Sequence, residues 1–219
     1  MNALDDNAGS PPTTAGRAKW PVILAFVLIL AGALGFALTR DGRPNGTETG
    51  EVNAAAAGSL AGLEERVDAN PEDVTGWEQL GQQRYDTADY GRAVQAYRRA
   101  TVLAPAVAAY WSALGDSLVM AAPRGGPPVP DDAVAAFRRA IAIDAGDPRA
   151  RYFLAARKDQ DGDHEGAIAD WLALLADTPP ASPLEQDLRY TIERVGAREG
   201  IAVASRIAAV RQPGVSPAN

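Results

Sequence analysis

The residue types that carry most enzyme chemistry are scarce in this chain. It has one His and no Cys, which removes disulfides, zinc–thiolate sites and thiol nucleophiles together. The His, His164, sits in "DGDHEGA" between acidic residues. That setting reads as a solvated turn, and a single imidazole there supplies neither a His-based metal site nor a Ser–His–Asp arrangement. Asp161 and Asp163 open like a calcium loop, but the Gly and the closing Glu fall at the wrong offsets. "PRGGPPVP", residues 123–130, is rich in Gly but has no preceding strand, no helix start and no Lys to hold a phosphate. No catalytic residue, no metal ligand and no cofactor-binding residue is expected, and the chain is read as a non-enzyme.

Charge narrows the remaining classes. From Ser59 onward, 17 Arg and Lys face 23 Asp and Glu, a balance of −6 within a whole-chain −7. An acidic body repels phosphate backbones, and no Arg/Lys face with interleaved aromatics is present, so nucleic acid is excluded as a partner. The pairs Arg98–Arg99 and Arg138–Arg139 read as solvated outer faces of helices. What is left is binding of other proteins, and the elements that would position it are helical. Hydrophobic residues make up 47% of the chain and aromatics only 6%. A core of Ala and Leu with a few Trp and Tyr suits closely packed helices.

The spacing of those aromatics is regular. In "WEQLGQQRYDTADYGRAVQAYRRATVLAP", residues 77–105, take Val74 as position one. Trp77 is then fourth, Leu80 and Gly81 seventh and eighth, Ala93 twentieth, Tyr97 twenty-fourth, Ala100 twenty-seventh and Pro105 thirty-second. Small residues at eight and twenty let two antiparallel helices approach, the aromatics fill around that contact, and Pro105 ends the second helix. A second unit starts at Ala108, with Trp111, Leu114 and Gly115 at four, seven and eight. Its Ala133, Phe137 and Ala140 arrive six residues late, because "AAPRGGPPVP" (121–130) lengthens the hairpin loop. A third starts at Pro148, with Leu154, Ala155, Ala167, Trp171, Leu174 and Pro179 in register but Arg151 at position four. These offsets resemble the tetratricopeptide repeat, a 34-residue helix–turn–helix unit. Arg84 at position eleven departs from the pattern, with Tyr85 following it.

The fold class expected is all-α: a solenoid of three hairpins (units 74–107, 108–147 and 148–181) within a domain spanning 59–211. "SLAGLEERVDANP" (59–71) reads as a half-unit helix at the amino end. Ser182–Pro183 starts a closing helix to about Val195, with Leu184, Leu188, Ile192 and Val195 on one stripe. "IAVASRIAAV" adds a further short helix, and 212–219 is a tail. The resemblance implies that first helices line a concave peptide-binding face at positions two, five, nine, twelve and thirteen. Carried onto this chain those positions select Glu78, Gln82, Tyr85 and Asp86; Ser112, Asp116, Val119 and Met120; and Arg149, Tyr152, Ala156 and Asp159. Carboxylates there would attract Lys or Arg, and Tyr and Met would give adaptable contact area.

Ahead of this body, residues 20–39 ("WPVILAFVLILAGALGFALT") carry no charge. At 1.5 Å per residue they reach about 30 Å, the thickness of a hydrocarbon layer. The apolar run is longer than a signal-peptide core and has no small-x-small cleavage site close behind it, so an uncleaved single-pass anchor is expected. Residues 1–19 read as a disordered arm and 40–58 as a flexible linker. Basic residues are balanced on the two sides of the span. A short arm inside and a long domain outside is the expected orientation, which in a bacterial cell puts the domain in the periplasm.

Anchor, half helix, regular unit, middle unit lengthened by a Gly–Gly loop, then "DGDHEGAIADWLALLADTPPASP" and a closing helix: this order resembles CycH, the tetratricopeptide subunit of bacterial cytochrome c maturation, over roughly residues 58–197. The resemblance implies a bacterial inner-membrane protein that binds apocytochrome c, chiefly its carboxy-terminal helix, and presents it to the haem-attachment complex. A Cys-free chain can hold a thiol-bearing client but cannot reduce it or join it to haem. Members of that family often have two membrane spans; this sequence offers one. The alternative is an envelope scaffold that assembles a different membrane or secretion complex.

Overall fold

The computed structural model describes residues 58–210. The expected arm, anchor and tail, and all of the linker but its last residue, lie outside the described residues. Within them the chain forms nine α-helices: α1 (Leu60–Ala69), α2 (Val74–Asp86), α3 (Tyr90–Leu103), α4 (Ala108–Ala121), α5 (Asp131–Ile143), α6 (Pro148–Gln160), α7 (His164–Asp177), α8 (Pro183–Glu199) and α9 (Ala204–Ala209). No helix among them is long and apolar enough to cross a membrane. Each packs chiefly on its chain neighbours, with α2–α3, α4–α5 and α6–α7 the most extensive pairs. This is an array of helical hairpins of tetratricopeptide type.

Local chemistry sets the helix starts. Asp73, Asp89, Asp147 and Asp163 stand just ahead of α2, α3, α6 and α7, and each side chain accepts from the amide three residues on. Such caps satisfy amides that have no partner inside the helix. The amides they hold keep the Asp73 and Asp89 carboxyls below the ordinary range, with Arg66 adding to the effect at Asp73; at Asp89 the Arg92 side chain is the largest cause. Ser59 and Ser182 cap α1 and α8 in the same way. Position four ties one unit to the last: Trp77 Nε1 donates to the Pro71 carbonyl at 3.0 Å, and Trp111 Nε1 to the Pro105 carbonyl at 2.9 Å. Where Arg151 replaces the Trp, its guanidinium bonds Asp177 at 2.7 Å instead.

The seams within hairpins are tight because their facing residues are matched in size. Ala93, Ala133 and Ala167 are wholly buried, as are Phe137 and, to within a few per cent, Tyr97 and Trp171. A Cβ placed on Gly115 would lie 2.6 Å from the Phe137 ring; one on Gly81 would meet the Tyr97 ring at 3.0 Å. Between units, Phe137 stacks on Phe153 with centroids 4.9 Å apart. The lengthened middle loop is fastened down. Val129 is buried, its amide donates to the Gln160 side-chain oxygen at 2.9 Å, and Arg157 reaches both the Val129 carbonyl and Asp131. The closing helix runs one turn beyond its expected end, to Glu199. Leu188, Ile192 and Val195 join Trp171, Leu174 and Leu175 in one core, which Val203 and Ile207 complete.

Candidate peptide-binding face

The first helices α2, α4 and α6 supply the expected face, and α4 touches α6 directly. The structure brings three of the expected residues together, one from each hairpin: Tyr85, Asp116 and Arg149. Arg149 Nε lies 3.2 Å from Asp116 Oδ2, in a pair whose side chains are 28% and 10% exposed. Burial pushes the Asp116 carboxyl up, and Arg149 and the Tyr85 hydroxyl pull it back. The Tyr85 hydroxyl is raised by burial and then by the neighbouring Asp116; it is enclosed beside that carboxylate without a hydrogen bond of normal geometry. The group therefore links three units while leaving part of its polar capacity unused.

Around this centre the expected residues divide into a presented set and an enclosed set. Glu78, Gln82 and Met120 are half-buried and Asp86 is exposed. Gln82 donates to Asp86 at 2.8 Å and accepts from the Tyr97 hydroxyl at 3.2 Å. Burial raises the Tyr97 hydroxyl first, with the Glu78 charge next. Glu78 itself is raised by burial alone, with no ion pair or hydrogen bond among the described residues. Ser112 and Val119 are enclosed; Ser112 Oγ donates to Asp147 at 2.8 Å, so it braces the α6 cap.

The third hairpin uses its share of the face for closure. The Tyr152 hydroxyl lies 3.3 Å from Thr191 Oγ1 on α8, and Ala156 packs against the core that α8 completes. Asp159 is 5% exposed and is held by Arg198 at 2.5 Å and by His164 Nδ1 at 2.6 Å. His164 is half-buried at the start of α7, with its other ring nitrogen 3.5 Å from Glu199. The expected solvated turn residue is thus a bridge between α6 and α8, because the longer closing helix brings Arg198 and Glu199 over the α6–α7 turn. Sequence reasoning left α8 off the face altogether. It opens with Pro183 as α6 opens with Pro148, so its fifth residue, Asp187, takes the place of Glu78, Ser112 and Tyr152. That shared Pro start was the signal that could have found it. No group of three or more His, Asp or Glu suited to a metal occurs among the described residues.

Comparison with known proteins bears on the hairpin array as a whole. No family model matches the chain. The CycH cytochrome c-type biogenesis protein of Bradyrhizobium diazoefficiens is 35% identical over 144 residues, 64% of this chain. Over that stretch the chain is a distant homologue of CycH. The CycH of Rhizobium meliloti is 32% identical over 124 residues, 57% of this chain. The matched regions amount to 38% and 32% of those two proteins, so the chain spans about a third of the length of the CycH relatives. In three dimensions the chain is similar to the crystal structure of MamA, with a TM-score of 0.54 at 18% identity, covering 73% of this chain and 87% of that one. At that identity the likeness concerns the fold of the hairpin array.

Proposed function

We propose that this chain is a membrane-anchored tetratricopeptide adaptor that binds apocytochrome c, chiefly by its carboxy-terminal helix, and delivers it to the haem-attachment complex during cytochrome c maturation. The observation that carries the reading is the CycH homology, over 144 residues and 64% of this chain. The face built by α2, α4 and α6 suits a partner helix, since first helices of such arrays present a continuous surface. Residues 20–39 would hold it in the bacterial inner membrane by a single pass, with the domain of 59–211 in the periplasm. Glu78, Gln82, Asp86, Met120 and Arg149 are the contact residues; Tyr85, Ser112, Asp116, Val119, Tyr152, Ala156 and Asp159 give the face its shape. The chain does no chemistry of its own, and thiol reduction and haem attachment fall to its partners.

Deletion of the gene, with the full chain restored from a plasmid, tests this. Covalently bound haem in membrane and periplasmic c-type cytochromes should disappear and return. The purified full chain in detergent should retain apocytochrome c more strongly than the haem-loaded protein. Normal haem staining in the deletion strain would instead favour a scaffold for another envelope complex.

A further inference from the structure

Two carboxylates on the first-helix face lack counter-charges. Glu78 is half-buried on α2 and Asp187 half-buried on α8. Neither has a hydrogen bond or ion pair among the described residues, and burial alone raises each of them. This is unusual in a domain where most acidic groups on helix faces are paired: Asp116 with Arg149, Asp159 with Arg198, Asp177 with Arg151. A partly desolvated carboxylate without a partner is held at a cost that a cation would relieve. Arg149 of α6, which lies between them among the described residues, is already engaged by Asp116. Arg194, seven residues beyond Asp187, does not offset that carboxylate, although both act on the Tyr152 hydroxyl.

The two carboxylates occupy the same repeat position. Both are the fifth residue of a first-type helix, on the outermost members of the row α2, α4, α6, α8. Neighbouring helices pack about 8–10 Å apart, so three steps along the row separate them by about 24–30 Å. An α-helix rises 1.5 Å per residue, so a helix laid across the row needs about 16–20 residues to reach both.

We infer that this face takes a cationic amphipathic helix of about 18 residues that places Lys or Arg near each end, one on Glu78 and one on Asp187, with its apolar side over the middle of the row. The inference rests on the reading of this face as the client-binding face. It adds the charge, the length and the two anchoring residues.

The probe is a synthetic 18-residue amphipathic helix with Lys in its first and last turns. Its binding to the full chain in non-ionic detergent is followed by fluorescence anisotropy at low salt. Glu78→Gln and Asp187→Asn should each weaken binding several-fold and together at least tenfold, while Glu72→Gln, an exposed carboxylate off the face, leaves it unchanged. A peptide with its Lys moved to the centre, or replaced by Glu, should bind the unaltered protein at least fivefold more weakly, and added salt should narrow these differences. The melting temperatures of Glu78→Gln and Asp187→Asn should not fall, because each removes a desolvated charge rather than a contact. Equal binding of the Lys-ended and Glu-ended peptides, or wild-type affinity in the double variant, overturns the inference. Retention of apocytochrome c by the double variant at wild-type strength would then leave the client reading standing on apolar contacts. Loss of apocytochrome retention in the unaltered protein, with the peptide dependence intact, would remove the client and keep the helix-binding face.

Discussion

The first and third hairpins obey one packing rule and end in different uses. In the first, Gly81 faces the Tyr97 ring; in the third, Ala155 and Trp171 are buried in one core. Each seam keeps a small residue opposite a large ring, so helix spacing survives the change of ring. The outer attachment differs more: Trp77 ties back to the Pro71 carbonyl, whereas Arg151 ties forward to Asp177 within its own hairpin. The inner faces diverge most. Glu78 and Asp86 of the first hairpin remain presented, while Tyr152 and Asp159 of the third are bound to α8. The repeat dictates its seams and leaves its inner face open to individual use.

The strongest way to break this comparison is at the third seam. Trp171→Ala removes a buried ring from the core shared by α6 to α9 and should cost about 3–5 kcal/mol in chemical denaturation. Amide exchange should show α8 and α9 losing protection with it, while α2 and α3 keep theirs. The next test lies at the centre of the face. Arg149→Ala strands the buried Asp116 carboxylate and should cost about 3 kcal/mol at pH 7. Burial already sets the folded pKa of Asp116 above its unfolded value, and losing Arg149 raises it further. The folded variant then holds the proton more tightly than its unfolded chain, so its deficit should shrink as pH falls towards 4.5 and grow as pH rises. Urea midpoints across that range measure it.

Two smaller tests sharpen the comparison. Gly115→Ala forces a methyl to 2.6 Å from the Phe137 ring and should destabilise by about 1–3 kcal/mol. Gly81→Ala meets the Tyr97 ring at 3.0 Å, and the helix propensity gained by Ala offsets much of the crowding, for a net change within about 1 kcal/mol. The smallest contrast is in the hairpin turns. Ala88 holds φ at 60°, a left-handed conformation that its Cβ disfavours, whereas Gly162 holds the matching position of the third turn at 92°. Ala88→Gly should raise stability and Gly162→Ala lower it, each by about 0.5–1 kcal/mol, read from thermal melts.

The seams were legible in the sequence because their requirement is local and volumetric: a Gly or Ala at a fixed offset from a ring has one economical explanation. The same logic placed Trp77, Trp111 and Trp171. The candidate face was legible as a row of positions but not as a state of pairing. Nothing in "YFLAARKDQ" indicates that Tyr152 and Asp159 will be taken up by Thr191 and Arg198, since those partners lie 39 residues onward. His164 was misplaced for the same reason: its neighbours in sequence are solvated acids, and its neighbours in space arrive with α8. Asp187 escaped notice because α8 has no second helix of its own to complete the repeat signature, although its Pro start matched that of α6.

The fastening of Val129 to Arg157 and Gln160 has a mechanical consequence. A stack in which repeats touch only their neighbours yields to pulling one repeat at a time, from an end. Here a loop of the second hairpin grips the first helix of the third, beside their ordinary interface. Drawn from the carboxy terminus, those two hairpins should give way in a single rip, and trimming 123–128 should split that event into two.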